Sequence, residues 1–355
     1  MSLPSVLLHD HLDGGLRPAT VLELADRIGY EGLPETNDVA LAQWFDQSQS
    51  GSLETYLQAF DHTIAVMQSS EGLERVAYEA ALDLSADGVV YAEIRFCPQL
   101  HTERGMAVDE VVDAVAAGMA LGEAETGLEW GLIIDTLRQH DWGELMARLA
   151  SRSRGRNVVG FDIAGPEAAN PPQRHLAACV LAKESGLRLT IHAGESAGAQ
   201  GVAYMAAAMD VCGAERLGHG LQIIDDCVVT DGEITDTGLV AGRIRDRQIP
   251  LEMCPVSNLA TSRLEASDHP IGLLHRAGFN VTVSTDNRLM SNTSMSREFE
   301  LVRRHHGFDI NDLALVTRRS LEAAFCDHAT KINLWNDRIA PEYRSAGAGI
   351  DLDWR

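Results

Sequence analysis

Positive charge is scarce in this chain: over 355 residues, 29 Lys and Arg stand against 52 Asp and Glu, a formal net charge of -23. Each phosphate of a polyanionic partner needs a cation opposite it, so nucleic acid and acidic membrane surfaces are disfavoured as partners. Cysteine is sparse and unpatterned. The six cysteines, Cys97, Cys179, Cys212, Cys227, Cys254 and Cys326, contain no C-x-x-C pair, and in a chain of this length they read as reduced, mostly buried thiols of a cytoplasmic protein. No basic stretch followed by a long apolar core lies between Met1 and His9, so no secretory signal is expected. No apolar run reaches membrane-spanning length.

Phosphate-cradling loops are missing as well. No G-x-G-x-x-G follows a strand-like run, and the stretches GGL (14–16) and GESAGAQG (194–201) lack the Gly-Lys-Ser/Thr ending of a P-loop. No internal repeat and no Pro/Gly-rich linker divides the chain. What is present, 45% hydrophobic and 23% charged residues, is the composition of a globular protein.

Short β-branched runs alternate with longer helical patterns, the signature of parallel βαβ units. The strand candidates are SVLLHDH (5–11), VVYAEIRF (89–96), WGLIIDTL (130–137), VVGFDIAG (158–165), LRLTIHAG (187–194), ERLGHG (215–220), IPLEMCP (249–255) and NVTVSTD (280–286). Between them, stretches such as LETYLQAFDHTIAVM and DEVVDAVAAGMALGEAE carry apolar residues at helical spacing. Eight strands, each followed by helix, predict an α/β fold: a (β/α)8 TIM barrel, with additional helices between the first and second strands. A doubly wound open sheet is the alternative, and the missing dinucleotide fingerprint argues against it.

In such a barrel, chemistry gathers at the C-terminal ends of the strands. The first strand ends in HDHLDGG (9–15), and residues i and i+2 of a strand share a side, so His9 and His11 can aim two imidazoles at one point. His192 ends the fifth strand with Glu195 three residues on, His219 ends the sixth, and Asp286 the eighth. Three imidazoles and a carboxylate suit a borderline metal such as zinc with a position left for water. His9, His11, His192 and Asp286 are therefore the expected ligands of one Zn2+ per chain. His219 is left as a base or orienting group near the water, and Glu195, facing a partly dry mouth, as a proton donor.

HDHLDGGL, FDIAGPE, IHAGE, RLGHG, CPVSN and STDN occur in the order and at the strand positions of the adenosine deaminase family of zinc amidohydrolases, which this chain resembles from about Pro4 into the helices near Phe325. The resemblance implies hydrolytic deamination of adenosine and 2′-deoxyadenosine, with Glu195, His219 and Asp286 catalytic and His11, Asp13, Gly165 and Asn287 binding the substrate. In it, Gly165 offers its N–H to purine N3 and Asp13 meets the ribose. It implies a single domain over 1–340, a C-terminal tail over 341–355 with no assigned role, and a small purine nucleoside as partner. The alternatives are a deaminase of adenine, AMP or a modified nucleoside such as aminodeoxyfutalosine, or a non-catalytic zinc- or nucleoside-binding member. One departure stands out. Where many members carry two aspartates after the eighth strand, this chain has Asp286-Asn287 and then Arg288 in place of proline, so the residue expected at purine N7 has changed.

Overall fold

The computed structural model describes residues 3–196 and 198–354. Eight parallel strands follow one another in chain order around one sheet: β1 Ser5–His11, β2 Val89–Phe96, β3 Glu129–Leu137, β4 Val158–Ala164, β5 Arg188–Ala193, β6 Arg216–His219, β7 Leu251–Met253 and β8 Val281–Val283. The ring closes beyond β8, where Asp286 bridges Asp10: the His11 N–H donates to Asp286 O at 2.7 Å and the Asp286 N–H to His9 O at 2.9 Å. The expected (β/α)8 barrel is the fold found.

The alternation of each strand explains its double burial. Every residue of VVYAEIRF in β2 is buried, and its Tyr91, Glu93 and Arg95 share one side, where Tyr91 meets Glu93 and Arg95 reaches Glu252 of β7. The other side, Val90, Ala92, Ile94 and Phe96, belongs to the apolar core. The barrel interior is thus lined in part by paired charges.

The first connection holds five helices: α1 Pro18–Ile28, α2 Asp38–Phe45, α3 Leu53–Leu57, α4 Phe60–Val66 and α5 Ser70–Ala86. Side-chain oxygens of Asn37, Ser52 and Ser69 accept backbone N–H groups at the starts of α2, α3 and α5, the usual satisfaction of a helix N-terminus. The stretch LETYLQAFDHTIAVM, whose apolar residues keep helical spacing throughout, forms two helices, α3 and α4. A two-stranded antiparallel hairpin, Cys227–Thr230 with Glu233–Thr237, is an addition to the expected elements. Its turn, Asp231-Gly232, has positive φ at both residues, the geometry an Asp-Gly pair favours.

The last three strands are shorter than their sequence runs. Proline bounds β7 on both sides, Pro250 lacking the ladder N–H and Pro255 opening the helix Pro255–Ser262. His219 and Asp286 leave the extended region altogether, with φ of 60° and 61°. Residues after 340, set apart in the sequence as a tail, pack onto the barrel: Tyr343 and Leu352 are buried, Tyr343 Oη meets Thr317 Oγ1 at 2.8 Å, and Trp335 Nε1 donates to Leu352 O at 2.6 Å. All six cysteines are free thiols, four of them buried. No helix among the described residues is long and apolar enough to cross a membrane.

Candidate metal centre and active site

His9, His11, His192 and Asp286 come together at the C-terminal rim, each offering one ligand atom with all four within 4.8 Å of one another. Asp286 Oδ1 stands 3.3 Å from His9 Nε2 and 3.5 Å from His11 Nε2. The Nε2 atoms of His11 and His192 face each other at 3.2 Å. Buried imidazole nitrogens that converge so closely have one natural common partner, a cation between them.

Each imidazole is held from behind by a carboxylate. Glu252 Oε2 accepts from His9 Nδ1 at 2.8 Å, Asp162 Oδ2 lies 2.9 Å from His192 Nδ1, and Asp135 Oδ2 lies 3.4 Å from His11 Nδ1. The Glu252 contact is a hydrogen bond that keeps the proton on His9 Nδ1, and the other two set a carboxylate opposite each remaining Nδ1, so the three Nε2 atoms are the ones turned to a common point, the arrangement that orients histidine ligands. Buried His9 Nε2 has no hydrogen-bond partner of its own. Asp286 is fixed likewise: Ser257 Oγ donates to its Oδ2 at 2.6 Å, which turns Oδ1 to the histidines. This donor set fits zinc.

One arginine ties two of these supports together. Arg95, fully buried, donates to Asp162 Oδ2 at 2.6 Å and to Glu252 Oε2 at 2.8 Å. Burial pushes Glu252 up, but Arg95 and Arg216 outweigh it and hold the carboxyl well below the usual range. Burial lowers His11 and His192, which favours the neutral form that binds metal. His9 differs. Burial and Arg95 lower it, yet its contacts with Asp286 and Glu252 prevail and raise it, so a metal at Nε2 takes the place of a proton that the site already favours.

Glu195 and His219 stand beside the cluster, Glu195 Oε2 3.6 Å from His219 Nε2 and both side chains buried. Burial, then the charges of Asp286 and Glu167, raise Glu195 well above the ordinary carboxyl value. Its loop is clamped by two residues that the sequence reading left without a role. Glu167, after β4, accepts the N–H groups of Gly194, Glu195 and Ser196 at 2.7, 2.9 and 2.9 Å. Arg138, after β3, donates to the carbonyl of His192 at 2.5 Å.

A cavity of about 480 Å³ opens above the cluster. His11, Asp13, Gly165, His192, Glu195, His219, Asp286 and Asn287 all line it, and His9 lies beneath them, fully buried. Asp13 is buried with an unpartnered Oδ1, and burial pushes its carboxyl up to about 7. Gly165 has φ of 93°, a backbone conformation that strains any side chain, and a Cβ there would also displace the amide end of Gln139. The opposite wall comes from α3 and α4: Leu53, Tyr56, Leu57, Phe60 and Ile64. Glu54 and Asp61 stand among the lining residues, which include no Lys or Arg among the described residues.

The sequence did hold a signal for the supporting residues. Glu93, Arg95, Asp135, Asp162 and Glu252 are charges inside apolar strand runs, positions that are tolerated only when paired. Arg138, Glu167, Ser257 and Asn258 lie in loops or at a helix start and carried no such mark.

Comparisons with known proteins agree with this geometry. A family model described as adenosine deaminase matches residues 4–340. The adenosine deaminase of Mycobacterium ulcerans (strain Agy99) is 48% identical over 348 residues, covering 96% of this chain and 95% of the relative. That of Mycobacterium tuberculosis (strain H37Rv) is 47% identical over 347 residues, with 96% and 94% covered. Among solved structures, adenine deaminase from Arthrobacter aurescens superposes with a TM-score of 0.83 at 28% identity, covering 97% of this chain and 99% of that one. An amidohydrolase from Burkholderia ambifaria, solved with bound zinc, gives 0.82 at 25% identity over 97% and 91% of the two chains. Sequence likeness over nearly the whole length, on a barrel whose rim carries three histidines and an aspartate, places the chain in the adenosine deaminase family.

Proposed function

We propose that this enzyme replaces the C6 amino group of adenosine and 2′-deoxyadenosine with the oxygen of water, releasing ammonia and inosine or 2′-deoxyinosine, and that its resident metal is one zinc ion per chain. The observation that carries the reading is the rim itself, where a buried carboxyl and a buried imidazole flank a four-ligand metal cluster at the base of a cavity. Zinc held by His9, His11, His192 and Asp286 supplies a Lewis acid that brings the pKa of water towards neutrality.

The residues divide the remaining work. Glu195, whose environment favours its protonated form, holds the proton that purine N1 takes as C6 becomes tetrahedral. His219 orients the attacking water. Gly165 offers its N–H to N3, the buried carboxyl of Asp13 meets a ribose hydroxyl, and Asn287 donates to N7. An asparagine amide donates without any adjustment of pKa, whereas an aspartate does so only when protonated. The change from aspartate at this position therefore preserves base recognition.

Absence of cations from the lining, with Glu54 and Asp61 present, supports a nucleoside over a nucleotide, because a 5′-phosphate there finds carboxylates and no counter-charge. Measuring kcat/KM on adenosine, deoxyadenosine, adenine and AMP tests the proposal. The nucleosides are expected to lead, and a preference for adenine or AMP overturns it.

A further inference from the structure

Behind His219 stand two buried residues with no part in the reaction as described, Asn258 and His269. The line they form has a fixed end. The backbone N–H of Ile271 donates to His269 Nδ1 at 3.2 Å. A peptide N–H cannot accept, so His269 Nδ1 bears the lone pair and the proton of the neutral ring is on Nε2. Burial, then the neighbouring His306, lowers His269 to about 3, which keeps that ring neutral.

From this end each step dictates the next. His269 Nε2 lies 3.2 Å from Asn258 Oδ1 and donates to it. That contact settles which way the amide faces, so Asn258 Nδ2 donates to His219 Nδ1 at 3.1 Å. His219 Nδ1 accepts, and the single ring proton of His219 is therefore on Nε2, the nitrogen turned towards Glu195 Oε2.

We infer that His269 and Asn258 are positioning residues that set the tautomer of His219, so that His219 enters the reaction as a neutral Nε2–H donor and not as a proton acceptor. The inference rests on the proposed deamination at this rim and assigns the proton traffic within it. His219 has no free lone pair facing the substrate, so its Nε2–H can donate to the entering oxygen but cannot take the water's proton. Glu195 then carries both transfers: its carboxyl gives a proton to N1, and the resulting carboxylate takes one from the water as the C6–O bond forms. The chain is returned to its starting protonation before the C6–N bond breaks.

The test is direct. Zinc-loaded enzyme labelled with 15N in its imidazoles is examined by long-range 1H–15N correlation, with the His219 signals assigned by their loss in His219→Gln. The expected pattern is a protonated Nε2 and an unprotonated Nδ1 on His219. A proton on Nδ1, or on both nitrogens, overturns the inference whatever any variant does. Asn258→Asp replaces the donor with an acceptor, which is expected to pull the proton to Nδ1 and to lower kcat by a factor on the order of 10² at unchanged zinc content. A folded Asn258→Asp enzyme that retains the Nε2–H pattern also overturns it. Wild type with the expected pattern but no turnover of adenosine supports the relay and instead defeats the reading of the reaction.

Discussion

A Cβ built on Gly14 would stand 2.1 Å from Asn287 Oδ1 and 2.8 Å from Asn287 Cβ. The second contact is with an atom anchored to the backbone, so a side chain at 14 moves Asn287 as a whole and not merely its amide tip. The glycine pair that follows the histidines of β1 is thereby explained on its first member: it makes room for the residue beside Asp286. Gly14→Ala is expected to lower kcat/KM for adenosine by about 1 to 3 kcal/mol, the range for a lost polar contact, with normal metal content. Unaltered kcat/KM would show that Asn287 has no precise position to lose.

Asn287→Leu removes the donor proposed for N7 while keeping the side chain's approximate size. It is expected to lose about 1 to 3 kcal/mol in kcat/KM for adenosine. Wild type should show a similar penalty with 7-deazaadenosine, which lacks the acceptor, and the leucine variant should scarcely distinguish the two nucleosides. Equal discrimination by both enzymes would remove Asn287 from base recognition.

Glu195→Gln retains shape and a hydrogen-bond donor but cannot deliver a proton. Its kcat is expected to fall by a factor on the order of 10² or more, at unchanged zinc content. Steady-state kinetics alongside metal analysis checks this, and a variant that turns over at the wild-type rate would take the acid role from Glu195.

Metal analysis should find about one zinc per chain, with activity lost on chelation and restored by zinc. His9→Ala and His192→Ala should lose both metal and turnover. Arg95→Met, at a position that does not line the cavity, leaves the carboxylates of Glu252 and Asp162 without their shared cation and should weaken zinc binding by about 10- to 100-fold in a chelator competition. Tight zinc binding by that variant would show that the two carboxylates hold their histidines unaided.

Glu167→Gln puts an NH2 group where a carboxylate oxygen now accepts backbone N–H groups from the Glu195 loop. The expected result is a kcat lowered by about tenfold or more, the scale for a displaced catalytic group, with little change in affinity for the product inosine. A fall in thermal stability with kcat intact would make Glu167 a structural clamp alone.

Much of this was legible in the linear chain because strands and their ends leave local marks. β1 and β2 have the bounds that their apolar runs predicted, since each run is buried on both faces and nothing interrupts it. The histidines were conspicuous for a similar reason: imidazoles two apart at a strand end, or just before a glycine, are out of place in an apolar run. The Asp-Gly hairpin after β6 had its own turn signal, but two exposed valines at 228 and 229 gave it no buried face to betray a strand. The break between α3 and α4 had no signal, because the apolar spacing continues through it.

The sequence by itself determined the barrel, the four side chains that converge at its rim and the two, Glu195 and His219, that stand beside them, because each depends on residue type and on periodicity within a few neighbours. Only the tertiary structure decided what stands behind them. Glu252 meets His9 across 243 positions of chain and Thr285 meets Asp10 across 275, separations at which local pattern carries no information. A carboxylate in a strand announces that it must be paired, since an unpaired buried charge is too costly. Which histidine or arginine pairs with it is fixed by the order of strands around the ring and by the closure of β8 on β1.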